Sequence, residues 1–253
     1  MAVKLYGSVN GKTREIKKLY GSVNGKSKLI YEAGTAVTYG TVYYKTNPSD
    51  TTVQKVEITS LAEFNSLVGT SSSSAFRTVI NGVTLNGQGA NVVVGLEIGP
   101  QITSIPDYFL KSCVYLNQPL VLPSGVTSIG QYFLSGCSSF NQPLTLPSSL
   151  SSIGRNFLST CTSFNQPLVL PSGVTSIGTT FMYNCNAMTS YVNVGSLAAT
   201  IMSTSNYAFS TTNSTAGSYT TGVKIKGTNR AAWLSRFPNR TSSPYRKLVD
   251  YGS

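Results

Sequence analysis

Four cysteines at a constant spacing are the residues best suited to chemistry, because a thiolate can attack a substrate, ligate a metal or form a disulfide. They are Cys113, Cys137, Cys161 and Cys185, which follow one another at intervals of 24 residues. Structural zinc sites use close Cys-x-x-Cys pairs, which this spacing does not supply. We interpret the four as a ladder of small buried thiols, and we expect them to be free because the N-terminus predicts synthesis without export.

Other catalytic groups are scarce in the sequence. The chain has no His, which removes Ser-His-Asp and Cys-His catalysis and the commonest metal ligand. Between residues 92 and 190 the only acids are Glu97 and Asp107, so this stretch offers no carboxylate pair for glycoside hydrolysis. We therefore predict a non-enzymatic protein with no catalytic residues, no metal site and no cofactor. A cell-wall hydrolase is the weakest alternative.

The cysteines belong to a longer repeat of 24 residues. Its three copies are LNQPLVLPSGVTSIGQYFLSGCSS from Leu116, FNQPLTLPSSLSSIGRNFLSTCTS from Phe140 and FNQPLVLPSGVTSIGTTFMYNCNA from Phe164. A half-copy, ITSIPDYFLKSC, precedes them from Ile102. A fixed period of about 20–29 residues is typical of a leucine-rich-repeat solenoid, in which each turn covers the apolar face of its neighbour. We predict about four turns.

The apolar positions of one copy fit such a turn. In the second copy, Leu144 and Leu146 alternate around Thr145 as a short strand with two inward side chains, and Pro147 ends that strand. The remaining positions predicted to point inward are Leu150, Ile153, Phe157, Leu158 and Cys161.

The phrase LPSGVTSIGxxFLxxC resembles the BspA-like leucine-rich repeats of bacterial and phage surface proteins. FNQPL resembles the opening of a related bacterial lipoprotein repeat. The resemblance covers about residues 92–190. It implies a solenoid that acts as an adhesin or a protein-binding scaffold, and it does not imply a particular ligand.

Two sets of polar residues recur with the repeat. The asparagines Asn117, Asn141 and Asn165 are predicted to bond neighbouring backbone and hold the turns together. The glutamines that follow them, and the residues between the inward leucines, would form a stripe on the strand face. This candidate binding surface consists of Gln118, Val121, Gln142, Thr145, Gln166 and Val169.

The flanks of the repeat predict caps. Ser60 and Glu63 form a capping box for a short helix with Leu61, Phe64 and Leu67 on its apolar face, and Asn81-Gly82 predicts a tight hairpin. Near the C-terminus, GVKIKG predicts a strand and TNRAAWLSRFPNR a short helix. The helix residues expected to cover the last turn are Trp233, Leu234 and Phe237.

The N-terminus repeats a basic phrase, KLYGSVNGKTREIK and then KLYGSVNGKSKLIY. Each copy predicts a hairpin, and hairpins of this size become ordered most readily by adding strands to something else. The predicted anchor residues are Tyr6, Asn10, Gly11, Tyr20, Asn24 and Gly25. The phrase resembles leaders of phage structural proteins, which implies docking on a virion protein.

We therefore predict a mainly β protein with four regions. Residues 1–31 form a duplicated β-hairpin anchor, and residues 32–101 form a small β-rich capping module. Residues 102–190 form the leucine-rich-repeat solenoid, and residues 191–253 form a degenerate last turn and a basic strand-helix cap.

The net charge of +11 is concentrated in residues 1–31 and 223–253. Such ends suit an acidic protein, an acidic wall polymer or nucleic acid, and we place nucleic acid last because no motif for it is present. No apolar run reaches the length of a signal peptide or a membrane span, so we expect cytoplasmic synthesis and no membrane insertion.

These features together favour an accessory protein of a phage tail or capsid. It would dock through residues 1–31 and present the solenoid to a host-surface protein or glycan. The alternative is an adhesin or scaffold on the bacterial cell surface. Exposed strand edges also permit a homo-oligomer.

Overall fold

The computed structural model describes residues 38–69, 77–89, 92–202, 223–236 and 250–252, together with the backbone of five further strand segments. The chain divides into two compact units, Met1–Thr38 and Tyr39–Ser253.

The first unit contains two hairpins, as the sequence predicts. β1 (Tyr6–Val9) pairs antiparallel with β2 (Lys12–Glu15), and β3 (Lys18–Val23) pairs antiparallel with β4 (Lys26–Glu32). The predicted turn residues Asn10, Gly11, Asn24 and Gly25, and the side chains of Tyr6 and Tyr20, lie outside the described residues.

The second unit begins with a five-stranded sheet and a short helix. The elements are β5 (Gly40–Lys45), β6 (Gln54–Ile58), α1 (Leu61–Asn65), β7 (Arg77–Ile80), β8 (Val83–Asn86) and β9 (Val92–Ile98). The strand order is β6-β5-β9-β8-β7. Asn81 and Gly82 connect β7 to β8 with φ angles of 47° and 80°, which is the left-handed pair that a two-residue type I′ hairpin requires.

The predicted capping box opens α1. The Glu63 backbone N–H donates to Ser60 Oγ at 3.2 Å, and the Ser60 backbone N–H donates to Glu63 Oε2 at 3.2 Å. Phe64 and Leu67 are buried as expected, but Leu61 is 50% exposed. The prediction for Leu61 was wrong because α1 ends at Asn65, after little more than one turn, and its buried side is set by Phe64 alone.

Four parallel strands form the isoleucine wall of the solenoid. They are β10 (Ser104–Ile105), β12 (Ser128–Ile129), β14 (Ser152–Ile153) and β16 (Ser176–Ile177). Each residue pairs with the residue 24 positions later, as Ile129 does with Ile153. Met202 extends the wall by a parallel bridge to Ile177.

The leucine wall is the second set of parallel strands. It consists of β11 (Leu120–Val121), β13 (Leu144–Thr145), β15 (Leu168–Val169), β17 (Tyr191–Asn193), β18 (Val223–Lys226) and β19 (Leu248–Asp250). Leu120 pairs with Leu144, and Leu168 pairs with Val192. The wall therefore continues through strands that lie beyond the regular repeat.

A third wall, which we call the turn wall, has alternating left-handed residues. In one turn these are Tyr132, Leu134 and Gly136, with φ angles of 61°, 52° and 80°. The Tyr132 N–H donates to the Arg155 carbonyl of the next turn at 2.7 Å, whereas the Leu134 N–H donates to the Phe109 carbonyl of the preceding turn at 3.1 Å. Successive left-handed residues therefore bond forward and backward, which joins every turn to both neighbours.

The core is built from stacked identical residues. Phe109, Phe133, Phe157 and Phe181 form a phenylalanine ladder with successive ring centroids 6.4, 5.5 and 5.1 Å apart. The inward positions predicted for the second copy are all buried: Leu144, Leu146, Leu150, Ile153, Phe157, Leu158 and Cys161. Burying a residue of this size stabilises the fold by about 1.5–3 kcal/mol, so each turn depends on its neighbours for cover.

Both ends of the solenoid are covered. At the N-terminal end, the Leu110 N–H donates to the Leu67 carbonyl and the Asn117 N–H to the Val94 carbonyl, at 2.9 and 3.2 Å. At the C-terminal end, a 3-10 helix (Ala199–Ile201) precedes β18, and α2 (Arg230–Arg236) follows it.

The buried Trp233 of α2 covers the last turns, as predicted, and its Nε1–H donates to the Leu197 carbonyl at 2.9 Å. Leu234 packs against the same core, and Phe237 lies outside the described residues. Among the helices that the structure describes, none is long and apolar enough to cross a membrane.

Candidate binding surface

The cysteine ladder lies inside the solenoid. All four cysteines are buried, and none of them forms a disulfide. The Sγ–H groups of Cys137, Cys161 and Cys185 donate to backbone carbonyls of the preceding turn at 3.0–3.1 Å. Burial, reinforced by the neighbouring thiols, raises the pKa of Cys113 and of Cys161 well above the ordinary thiol value. A neutral, inward thiol is a poor nucleophile, so this ladder serves packing.

The described residues do not form a metal site. Within them, no three His, Cys, Asp or Glu side chains come together in a group that could hold an ion.

The asparagine ladder joins successive turns, as predicted. Asn117 Oδ1 accepts the backbone N–H of Asn141 at 3.0 Å, and Asn141 Oδ1 accepts that of Asn165 at 2.9 Å. Asn165 Oδ1 in turn accepts the backbone N–H of Thr189 at 2.7 Å. These hydrogen bonds therefore extend to Thr189, which lies 24 residues after Asn165 and beyond the last regular copy.

The three glutamines of the predicted stripe are half-buried. Gln142 Nε2 donates to Asn117 Oδ1 at 3.3 Å, and Gln166 Nε2 donates to Asn141 Oδ1 at 3.1 Å. Gln118 lies against Gly95 of β9, where an added Cβ would collide with its side-chain amide. These side chains tie turns together and contact the cap, which leaves them less available to a ligand than the sequence suggested.

The other three stripe residues lie side by side on the outside of the leucine wall. Val121 and Val169 are 69% and 52% exposed, and Thr145 is exposed between them. Val121 and Thr145 are register partners in β11 and β13. The geometry therefore brings Val121, Thr145 and Val169 together, with their side chains in solvent.

Two proline rows flank these residues, and of the six prolines the sequence analysis gave a role only to Pro147, as the end of a strand. Pro119, Pro143 and Pro167 precede the strands, and Pro123, Pro147 and Pro171 follow them. Their constant spacing of 24 residues was the feature of the sequence that could have predicted these two rows. Between the rows lie two shallow grooves.

The first groove has a volume of about 240 Å³ and lies between β9 and the first turn. Its lining includes Glu97, Ile98, Pro119, Val121 and Pro123. Glu97 Oε1 accepts a hydrogen bond from the Tyr43 hydroxyl at 2.8 Å, and that bond raises the pKa of Tyr43. Glu97 is the only ionisable group in this lining, so the groove is suited to contact and not to paired acid–base chemistry.

The second groove has a volume of about 380 Å³. It is lined by Pro143, Leu144, Thr145, Leu146, Ser148, Pro167, Val169, Pro171 and Ser172. None of these side chains ionises. We use the name strand-face groove for the two grooves together with Val121, Thr145 and Val169.

A capped parallel solenoid with a mostly apolar outer groove defines a repeat protein of the binding class. The family profile of the BspA type leucine rich repeat region matches residues 95–228 in six copies, which is more than half of the chain. The chain belongs to the BspA-type leucine-rich repeat family, as the repeat phrase predicts. No curated protein and no solved structure matches the chain.

Membership of this family indicates the general class of function. Leucine-rich repeats of this type suggest a protein-binding or adhesin-like role, and the family is a non-enzymatic one. The match also extends past residue 190, where the resemblance read from the sequence ended. Strands β17 and β18 therefore belong to the repeat region.

Proposed function

We propose that this protein is an adhesin-like binding protein that docks a host-surface protein in the strand-face groove. The observation that carries the proposal is the exposure of Val121 and Val169 between two proline rows. Single exposed valines are ordinary on a protein surface, but here one valine lies in each of two grooves on the same wall, with Thr145 between them.

The physical basis is apolar burial on a preformed surface. Covering the exposed part of each valine contributes about 1 kcal/mol. Proline has no backbone N–H and a fixed φ angle, so the flanking rows lose little freedom when a partner binds. The partner expected from this lining is a protein segment with apolar side chains.

We further propose that the protein is carried on a phage virion, with residues 1–31 as its dock. The support is that the two hairpins fall within a compact unit of their own, separate from the solenoid unit. A hairpin of four to seven residues per strand is marginal alone and gains stability by strand addition. The virion protein would supply the added strands.

The alternative is a bacterial cell-surface adhesin or scaffold, and the BspA-type repeats favour it because such repeats suggest an adhesin-like role. The two proposals share the strand-face groove. They differ in what residues 1–31 attach to.

The groove is tested by binding of the fluorescently labelled full chain to intact candidate host cells. Binding should be lost when the cells are treated with protease, and Val121→Glu with Val169→Glu should reduce it strongly. Val79→Glu is the matched control, because Val79 is 59% exposed but lies on β7 of the capping sheet. Equal loss in the control, or unchanged binding in the double variant, would contradict the groove.

The virion dock is tested by co-sedimentation with purified phage particles from the source culture. The full chain should pellet with the particles, and a chain lacking residues 1–31 should remain in the supernatant. If neither chain pellets, and the full chain is found on intact bacteria without phage, the cell-surface adhesin is the correct account.

A further inference from the structure

The leucine wall ends in a group of basic and aromatic side chains that the groove does not use. These are Tyr191 of β17, Lys224 and Lys226 of β18, and Tyr251, which follows β19. We call them the lysine–tyrosine cluster. They come from three chain segments that are brought together only by the parallel pairing of β17, β18 and β19.

The cluster is tightly interleaved. The Tyr191 and Tyr251 rings are stacked with centroids 5.6 Å apart. Lys224 Nζ lies 4.8 Å from the centroid of the Tyr251 ring, and Lys226 Nζ lies 5.6 Å from that of Tyr191. A ring face attracts an ammonium group, so the tyrosines hold both lysine heads in position at the surface.

The lysine heads keep their hydrogen-bonding capacity. Each ammonium group has three N–H donors, and an aromatic face is not a conventional acceptor for them. Among the described residues, no carboxylate pairs with Lys224 or Lys226. The nearest acid in sequence, Asp250, is bonded to Arg230 Nε at 2.6 Å, and its pKa is lowered by the Gly252 N–H and by Arg230.

The wider charge distribution points the same way. The sequence has no Asp or Glu between Asp107 and Asp250, whereas this stretch has nine Lys and Arg residues. The ammonium groups of the cluster are therefore not neutralised by any carboxylate of the solenoid turns beyond the first. In the described residues from 223 to 252, Asp250 is the one acidic side chain and it is bonded to Arg230, so an approaching anion meets mainly positive side chains.

Neutral hydrogen-bonding groups lie beside the two cations. Asn193 is the register partner of Lys226, and its Oδ1 accepts the Gly195 N–H at 2.9 Å, which leaves the side-chain NH₂ as a donor. No other described residue bonds the phenol oxygen of Tyr191 or of Tyr251, and Tyr251 is 49% exposed. Two cations with an amide and two phenols suit a ligand that carries both an acidic group and hydroxyls.

We propose that the lysine–tyrosine cluster binds an acidic polysaccharide, with its carboxylate or sulfate groups on Lys224 and Lys226 and its hydroxyls on Asn193 and the tyrosines. Sugar chains present both kinds of group at short intervals. Lys224 and Lys226 point to the same side of β18, about 6.6–6.8 Å apart along the strand, so neighbouring acidic groups on one chain can reach both.

Nucleic acid fits this cluster less well. Proteins that hold single strands offer free aromatic faces for base stacking, but here the rings face each other and the lysine heads. The proposal is also independent of the strand-face groove, because it uses different residues.

The test measures binding of the full chain to immobilised polygalacturonate and dextran sulfate, with neutral dextran and single-stranded DNA as comparisons. The two acidic polysaccharides should bind, neutral dextran should not, and the affinity should fall as salt is raised. Lys224→Gln with Lys226→Gln should weaken binding about tenfold, because two charge-assisted contacts are lost. Lys45→Gln with Lys55→Gln makes the same charge change on β5 and β6 and should leave the affinity unchanged.

A second variant guards against misfolding. Tyr251→Ser alters an exposed ring at the end of the wall and should weaken binding severalfold without lowering the melting temperature. Val121→Glu with Val169→Glu should bind the acidic polysaccharides as the wild type does, even if it no longer binds cells. The proposal is overturned if neutral dextran binds equally, if DNA binds more tightly than either polysaccharide, or if the folded double lysine variant binds as well as the wild type.

Discussion

The ring of Phe64 in α1 packs on the ring of Phe109, with centroids 4.8 Å apart. The capping helix thus supplies a ring ahead of the phenylalanine ladder, on the side where Phe109 would otherwise face water. Val68 forms a bridge to Phe109, and the Gly69 N–H donates to the Tyr108 carbonyl at 2.9 Å. The segment after α1 therefore takes the position that a preceding turn would occupy on the turn wall.

Replacing Phe64 with alanine is expected to destabilise the solenoid unit by about 3–5 kcal/mol, because the fully buried ring leaves a cavity at the end of the ladder. The measurement is urea unfolding followed by circular dichroism. Leu61→Ala on the same helix is the control and should change stability by less than about 1 kcal/mol, because half of that side chain is already in water. Similar losses in both variants would mean that α1 does not cap the ladder through its ring.

The asparagine ladder gives a prediction about hydrogen bonding between turns. Asn141→Ala removes the oxygen that accepts the Asn165 N–H and the Gln166 amide, and it should cost about 1–2 kcal/mol of unfolding free energy. Asn141→Asp keeps an acceptor at that place and should cost less than half as much. If the two variants lose equal stability in the same unfolding assay, acceptance by this side chain is not what joins the turns.

The turn wall holds a β-branched residue in a left-handed conformation, since Thr160 has a φ angle of 63°. Its counterpart one turn earlier is Gly136, at 80°. Thr160→Gly should stabilise the protein by up to about 1 kcal/mol, because the left-handed strain of about 1–2 kcal/mol exceeds the entropy that glycine loses on folding.

The reverse change tests the same strain. Gly136→Thr should lower the melting temperature, and a Cβ there would also lie 3.1 Å from Ser112 Oγ. Calorimetry of both variants gives the comparison. A lower melting temperature for Thr160→Gly would show that the threonine side chain contributes more than its backbone strain removes.

The buried thiols predict a pH dependence at the alkaline end. Burial raises the folded-state pKa of Cys113 and Cys161 above the unfolded value of about 9, so the folded state holds these protons longer than the unfolded state. Their contribution to stability is intact below about pH 9 and is lost as the pH rises from the unfolded pKa towards the folded one. The slope is up to about 1.4 kcal/mol per pH unit for each thiol.

Urea unfolding of the wild type and of Cys161→Ala between pH 7 and pH 10.5 checks this dependence. The variant should lose stability less steeply above pH 9, and the titration of exposed Lys and Tyr residues cancels in the comparison. Equal slopes of unfolding free energy against pH in the wild type and the variant would contradict this dependence. In the same buffers, a thiol reagent should label the native protein slowly. In urea the reagent should label all four cysteines.

The inward half of each turn was predictable because burial depends on residue type and spacing. Leu144, Leu146, Leu150 and Ile153 recur at a fixed interval with large apolar side chains, and no polar group competes for those positions. The capping box and the Asn81-Gly82 hairpin were predictable for a similar reason, since few residues satisfy those local geometries.

The turn wall was harder to predict because its conformation is set by bonds between turns. Leu134 and Leu158 are left-handed, a conformation that leucine rarely adopts, and their N–H groups are directed to the carbonyls of Phe109 and Phe133. Only Gly136 and the asparagines Asn156 and Asn184 hinted at left-handed backbone in the sequence.

The candidate site divides in the same way. Val121, Thr145 and Val169 share the repeat spacing, so the strand face that they occupy could be read from the sequence. The lysine–tyrosine cluster could not, because Tyr191 and Lys224 are register partners separated by 32 intervening residues outside the regular period. No spacing rule connects such residues before the strands are paired.

The constant register of the isoleucine wall has a consequence for how such a chain changes over generations. Register partners in the wall are 24 residues apart, so gain or loss of one whole unit recreates the same contacts and leaves both caps with their usual neighbours. An insertion of any other length shifts the serines and isoleucines out of alignment. Copy number can therefore vary by recombination between repeats, and with it the reach of the binding face, while the ends of the molecule stay as they are.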